Sequence, residues 1–537
     1  MKKNINILDC TLRDGGYYNN WEFSTNLINS YLNSIYKSGV DYAEIGFRSF
    51  QDSSYKGPCA YSSDFFLKNL NIPKKLKIGV MVNAADLLSH GNKNPISNIK
   101  KLFSSKKSRI NFIRIACHFE ELHKVAEVSK YLKKKNFIVI FNLMQCSERS
   151  ESEVIKAGEL AAKYPIDVLY FADSMGSMDS IKVNRIVNLL RLNWKKQLGI
   201  HTHDNMSRAF TNTDQAIKNG VNWIDGTVMG MGRGPGNIKT EYLLINYSEL
   251  LKKKDLLPIL NLIETFFKPL HLLYNWGPDP FYFLAGKNGI HPTFIQDILK
   301  DKRYSNSEKL LFIEHLKSFS SNKFDKNLLD LDRKIYANKT CKSSKKRWIP
   351  SSSINKKTVL IIGNSPELKE NLYVVEEFIK KKKPVVFGLN VQKSVNEKLI
   401  NYRVVCNLFR LLTDKYKYRS IKTPLILPLE RLDKKIIKFL RRNKILNFDL
   451  QVVAEKFKFN KDSVVCPNSL VFCYALAIAV SGKASNIVLA GFNGFNLDDP
   501  RQLEMERSFS IFNSKSKTKI SSITATKYKI KAESLYA

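Results

Sequence analysis

The sequence predicts an α/β protein: a (β/α)8 TIM barrel, then a helical extension, then a C-terminal open-sheet, Rossmann-like α/β unit. Three observations carry this expectation. Eight short apolar runs of strand character precede residue 230, most of them separated by helical patterns. The residues richest in chemistry, an Arg-Asp pair near the start and an H-x-H far downstream, fall at the C-terminal ends of two of those runs, where barrels build their sites. Beyond a polar, basic stretch, a fresh strand, glycine turn, helix and strand begin a second unit.

In order, the strands are expected at Ile5–Leu8, Tyr42–Gly46, Leu76–Val82, Phe112–Ala116, Phe137–Asn142, Val168–Ala172, Leu198–His201 and Trp223–Val228. Leu27–Lys37 and Ile181–Leu192 show the helical period between them. These elements make a barrel domain of residues 1–250. Residues 251–337 read as helices with polar turns, opening on the strongly apolar Leu256–Phe267. The lysines and serines of 338–357 read as a linker. The last domain, 358–537, opens with Thr358–Ile362 running into Gly363-Asn364-Ser365, a helical pattern to Lys381 and a second strand, Val385–Leu389. Val404–Leu408 and Ile487–Ala490 extend the sheet. A glycine turn that opens into a helix can receive a phosphate, so Gly363, Asn364 and Ser365 are candidate contacts for a nucleotide or nucleotide sugar. No full G-x-G-x-x-G is present, and a plain βα turn is the alternative. Gly491-Phe492-Asn493-Gly494-Phe495 sits at another strand end and is a candidate lining for the same crevice.

At 537 residues and 44% hydrophobic content, the chain has enough material for two or more cored domains. Its longest strongly apolar run, Leu470–Val480, is too short to span a bilayer. The opening Met1-Lys2-Lys3-Asn4 leads into a strand without a signal-peptide core, so a cytoplasmic location is expected. Eight cysteines without a C-x-x-C do not read as a disulfide framework; Cys10 and Cys117 sit at strand ends, most simply as small buried hydrophobes. The formal charge of +38 comes from lysines spread along the chain in short runs such as Lys133–Lys135. With no arginine-rich arm or aromatic-interleaved motif, this argues against a nucleic-acid partner and is compatible with an anionic small molecule. A homo-oligomer is left open.

Asp14 at one strand end and His201 and His203 at another supply one carboxylate and two imidazoles, a ligand set for a divalent metal with positions left for substrate. Side chains alternate along a strand, so both rings of the H-x-H share a face. Arg13 adds a fixed positive charge where an enolate oxygen would develop.

Leu8-Asp9-Cys10-Thr11-Leu12-Arg13-Asp14-Gly15 resembles the opening motif of the DRE-TIM metallolyases, metal-dependent barrel enzymes. Glu44-Ile45-Gly46, His201-Thr202-His203-Asp204-Asn205 and Gly230-Met231-Gly232-Arg233-Gly234-Pro235-Gly236-Asn237 agree with it, in order, over roughly residues 1–290. The resemblance is closest to the 4-hydroxy-2-oxovalerate aldolase branch. It implies a lyase that cleaves or forms a 4-hydroxy-2-oxo acid, giving pyruvate and an aldehyde. It implies Mn²⁺ or Mg²⁺, with Co²⁺ or Zn²⁺ as alternatives, on Asp14, His201, His203 and Asn237. Arg13 would stabilise the enolate, held by Glu44, with Arg114 and Asp173 as substrate contacts.

One position departs from the pattern. Hydroxy-oxovalerate aldolases carry a histidine three residues after the ligand aspartate; here Tyr17 stands there. An ordinary phenol, with a pKa near 10, is poorly matched to neutral pH. A tuned Tyr17, a metal-held water, or His118 from the fourth strand end is then the expected base. The departure leaves the aldehyde open, a sugar-like one included. The competing readings are a Claisen-type acyl-CoA synthase on the same barrel, a bifunctional protein of surface-sugar synthesis and a non-catalytic scaffold.

Overall fold

The computed structural model describes residues 5–300, 304, 306–317 and 347–535, except 52, 92, 106, 107, 250–254, 392, 393, 408, 409, 412, 413, 433–436, 438, 439, 441, 497 and 498. The end of the expected helical extension, residues 338–346 of the expected linker and Leu408 therefore lie outside the described residues. The fold divides into two compact units, one holding the described residues up to Lys300 and 315–317, the other those from 347 onward together with those between 301 and 314.

In the first unit, eight parallel strands close in sequence order into a barrel. They are β1 (Asn6–Asp9), β2 (Tyr42–Phe47), β3 (Lys77–Asn83), β4 (Phe112–Cys117), β5 (Ile138–Leu143), β6 (Val168–Asp173), β7 (Gln197–Thr202) and β8 (Trp223–Gly226). The (β/α)8 expectation is met, and closure is made by β1, where Leu8 faces Tyr42 on one side and Asp225 on the other. The last strand is shorter than expected. Past Gly226 the chain turns sharply through Val228–Gly230, where Met229 takes φ 52°.

The barrel interior is filled by Leu8, Cys10, Tyr42, Phe112, Ile140, Val168, Tyr170 and Trp223. Two glycines make room for the large rings. A Cβ on Gly79 would lie 2.3 Å from the Phe112 ring, and one on Gly199 2.4 Å from Tyr170. Toward the C-terminal ends of the strands the buried residues become polar: Glu44, Arg114, His201 and Asp225. Helices cover the outside. Thr25–Lys37, capped by Ser24, buries Leu27, Ile28, Tyr31, Leu32 and Ile35, one apolar face at helical spacing.

After the barrel come Leu257–Leu262, a π-turn over Ile263–Phe267, and the helices Lys268–Tyr274, Pro280–Lys287 and Pro292–Lys300. They pack against the loops that follow β7 and β8. Trp276 donates from its indole N–H to the Met229 carbonyl at 3.0 Å, and the Gly234 amide donates to Gln296 Oε1 at 3.2 Å. A Cβ on Gly286 would come within 3.0 Å of the Asn205 side chain.

The second unit is an eight-stranded parallel sheet in the order β13-β12-β11-β10-β9-β17-β18-β19. It starts from β9 (Thr358–Ile362) and β10 (Val385–Leu389), runs out through β11 (Tyr402–Val404), β12 (Leu425–Leu427) and β13 (Ile445–Asn447), and returns to β17 (Asn486–Ala490), β18 (Ile520–Ser522) and β19 (Lys531–Ala532). The open-sheet expectation is met. A small sheet of β14 (Asp449–Val452), β16 (Ser463–Cys466) and β15 (Lys458–Phe459) was not expected from the sequence. The apolar run near 470–480 forms the helix Val471–Ser481, buried from Phe472 to Ala479. Residues 347–357, expected in the linker, belong to this unit. The Trp348 amide donates to the Asn447 carbonyl at 2.8 Å, its ring meets Tyr402 and Phe448, and Ile354 is buried. No helix among the described residues is long and apolar enough to cross a membrane.

Candidate active site at the C-terminal face of the barrel

The site begins with a tightly held turn. Asp9, the last residue of β1, is buried and accepts four hydrogen bonds: the Thr11 amide, the Thr11 hydroxyl, Tyr31 and Thr240. These bonds bend the chain into the short helix Thr11–Asp14, which carries Arg13 and Asp14. Trp21 locks its far end by donating to the Arg13 carbonyl at 2.8 Å. A Cβ on Gly16 would collide with that indole at 2.0 Å, so the Gly15-Gly16 pair has a packing reason.

From this turn a ring of buried charges runs around the barrel mouth. Arg13 donates to Asp14 (2.7 Å) and to Glu44 (2.8 Å). Glu44 also pairs with Arg114 at 3.0 Å. Arg114 makes a two-pronged contact with Asp225, at 2.6 and 2.9 Å. Asp225 meets His201 Nδ1 at 2.8 Å, and His201 Nε2 lies 3.7 Å from Asp14. The ring thus returns to its start, with Arg13 and Arg114 set between the carboxylates of Asp14, Glu44 and Asp225. Buried charges need such partners to be tolerated.

The ligand atoms of Asp14, His201 and His203 all lie within 4.8 Å of one another. Around them are buried polar atoms with no hydrogen-bond partner among the described residues: His203 Nδ1, Asn237 Oδ1 and Arg13 Nη2. Unpartnered buried groups are uncommon, and these converge on one place. Asn237 also donates to Asp14, which leaves its carbonyl oxygen for another partner. Burial opposes charge on Asp14, but Arg13, with His203, His201 and Arg233, holds its carboxyl below the usual range. Burial pushes His203 well below the ordinary imidazole value. An ionised carboxylate and neutral imidazoles are the forms that bind a metal. Asp225 is likewise held ionised against burial by Arg114 and His201. With Asp225 accepting at Nδ1, His201 keeps Nε2 for a ligand bond, the carboxylate–histidine arrangement of metal sites. The residues present therefore fit a divalent cation.

The remaining expected site residues are placed less uniformly. Tyr17 is half-buried, edge-on to Trp21, with the Arg233 guanidinium 5.4 Å from its ring centroid. His118 begins the helix Phe119–Val125 directly after β4, its amide donating to Glu121 at 2.8 Å. Arg114 is wholly buried, its guanidinium committed to Glu44 and Asp225, so it supports the ligands rather than offering a surface to substrate. Asp173 accepts the amides of Ser177 (2.9 Å) and Met178 (3.1 Å) and so fastens the turn after β6; burial pushes its carboxyl up to about 7.

Three residues escaped the sequence reading. Asp225 is an acid in an otherwise apolar strand, two places from the inward Trp223, and that alternation was its signal. Arg233 lies in the glycine loop but belongs to no metal-ligand pattern. His291, from the helical extension, is an electrostatic neighbour of Arg233, His203 and His118; burial and those groups hold it well below the usual imidazole value. Its Nδ1 lies 3.3 Å from the Thr293 amide, which can donate to it and leave the proton on Nε2.

In the second unit, Gly363, Asn364 and Ser365 follow β9 at the point where strand order reverses toward β17. The turn is closed on itself. The Gly363 amide donates to the Ala490 carbonyl at 2.8 Å, and Ser365 donates to Asn493 at 2.6 Å. A Cβ on Gly363 would lie 2.4 Å from the Gly491 carbonyl oxygen. The expected opening into a helix is not found. A 3-10 turn, Pro366–Leu368, intervenes, and the helix starts only at Leu372.

The HMGL-like family model matches residues 100–263, which include both histidines of the H-x-H and the glycine loop. The solved N-terminal domain of a Bacteroides vulgatus protein named as an aldolase is 32% identical, with a TM-score of 0.51, over 56% of this chain and 97% of that one. The chain belongs to the HMGL-like, or DRE-TIM metallolyase, family. Among curated relatives of this HMGL-like chain, the 4-hydroxy-2-oxovalerate aldolase of Geobacillus thermodenitrificans is 27% identical over 274 residues, 50% of this chain and 77% of that protein. The oxaloacetate decarboxylase of Mycobacterium tuberculosis is 25% identical over 240 residues, 44% of this chain and 68% of its own length. Family membership implies a lyase and a divalent metal.

Proposed function

We propose that the barrel is an aldolase for 4-hydroxy-2-oxo acids, releasing pyruvate and an aldehyde or joining them in reverse. The observation that carries the reading is the convergence of Asp14, His201 and His203 beside the unpartnered Nη2 of Arg13. A bound Mn²⁺ or Mg²⁺, held by these three and by Asn237, would supply the electron sink for an enolate. Arg13, fixed by Glu44, donates to the oxygen on which enolate charge develops. His118 takes the proton of the 4-hydroxyl as the C3–C4 bond breaks and the aldehyde leaves. A proton returned to C3 then completes pyruvate. His291, whose Nδ1 accepts from the Thr293 amide, keeps an Nε2–H donor as an electrostatic neighbour of Arg233, His203 and His118, and Tyr17 packs edge-on against Trp21.

The test is pyruvate release from a panel of 4-hydroxy-2-oxo acids, with and without Mn²⁺. Metal-dependent release that vanishes in Asp14→Asn is the expected result. A metal-loaded protein that cleaves none of them contradicts the reading.

A further inference from the structure

Three arginines surround the site, and they are not equivalent. Arg13 and Arg114 each have a carboxylate within 3.0 Å. Arg233 has none within ion-pair distance among the described residues, and its Nε is buried without a hydrogen-bond partner. A half-buried guanidinium left in this state is costly unless an anion arrives, and its planar fork suits a carboxylate or phosphate.

The surrounding loop holds this group in place. Gly232 lies against Asp14, since a Cβ there would be 2.9 Å from Oδ2. Gly234 takes φ +65°, accepts from the Tyr18 hydroxyl at 2.6 Å, and donates to Gln296. Arg233 is therefore presented between two pinned glycines, over the Tyr17 ring and beside His203 and His291. Nothing in the proposed carbon–carbon chemistry uses it, because Arg13 already serves the enolate oxygen.

We propose that Arg233 determines specificity, and that the substrate carries a second anionic group, a carboxylate or phosphate, distal to its 2-oxo acid end. This rests on the aldolase reading for where the 2-oxo end sits.

The test uses the full-length, Mn²⁺-loaded protein and ligands that are not turned over. Calorimetry would compare 2-oxoglutarate, 2-oxopentanoate and a 2-oxo acid of equal length ending in a phosphonate. One charged end should bind about 10–100-fold more tightly than the methyl end, and which one does so identifies the anion. In Arg233→Gln that preference should collapse to within about 3-fold, whereas Arg233→Lys, which keeps the charge, should retain part of it. Equal binding of charged and uncharged ligands by the wild type, a preference that survives Arg233→Gln, or no binding of any ligand would overturn the proposal. If no 4-hydroxy-2-oxo acid releases pyruvate but the Arg233-dependent preference is present, the aldolase reading fails and the anion site stands.

Discussion

The two units both end parallel strands in loops rich in glycine and polar side chains, yet those loops use their polar groups differently. At the barrel mouth, Asp14, His201 and His203 sit among buried polar atoms that have no hydrogen-bond partner among the described residues. At the turn after β9, Gly363 and Ser365 spend their donors on Ala490 and Asn493. Strand-end position alone therefore marks where a site can be. Unsatisfied buried polarity, with a charge ring behind it, marks where chemistry is prepared.

The largest effect that sharpens this contrast is expected from Arg13. Arg13→Met should lower kcat for pyruvate release by about 10²–10³-fold while metal content stays near that of the wild type. A loss of metal together with activity would show that Arg13 acts chiefly by holding Asp14, not by serving the enolate oxygen. Next is Asp225. Asp225→Asn should weaken Mn²⁺ binding by about 10–100-fold, because His201 loses the group that orients it. It also leaves Arg114 buried with one partner fewer, so thermal melting should show a destabilisation of about 3 kcal/mol or more. Normal metal affinity in a stably folded variant would break the ring interpretation.

A third prediction concerns pH. The folded-state value of Asp173, about 7, lies above its ordinary 3.8. Between those values the folded protein holds a proton that the unfolded chain has released, so this group's contribution to stability falls as pH rises from about 4 to about 7. Denaturant melts at steps across that range should show the decline, and Asp173→Asn should flatten it. Asp14 and Asp225 act with the opposite sign. Their depressed values contribute stability above about pH 4 that is lost on further acidification. The smallest effect is expected in the second unit. Ser365→Ala removes one hydrogen bond, worth about 1 kcal/mol, and should leave pyruvate release unchanged. A change in that rate would mean that the two units communicate.

Most of the barrel was legible because each strand is a short apolar run bounded by polar turns, and its pattern repeats. The proposed ligands were picked out by position: His201 and His203 share a face by alternation, and Asp14 closes the short helix that follows the first strand. The support behind them was harder to see. Arg114 and Asp225 are 111 residues apart and meet only because the barrel interior brings their strands together. His291 was read as part of a helical tail, and only the packing of Pro280–Lys287 and Pro292–Lys300 onto the loops after β7 and β8 brings it near His203. In the second sheet, β12 is three residues flanked by Pro424 and Pro428, too short to announce itself by period. The Gly363 turn misled because a strand followed by glycine looks alike whether a helix or a 3-10 turn comes next.

The central claim is that Asp14, His201 and His203 form a metal site. Its most direct test is titration of Mn²⁺ into metal-free full-length protein, wild type beside His203→Ala. The account predicts one tightly bound ion per chain in the wild type and a loss of that binding in the variant. Equal binding by both proteins, or none by the wild type, would contradict it.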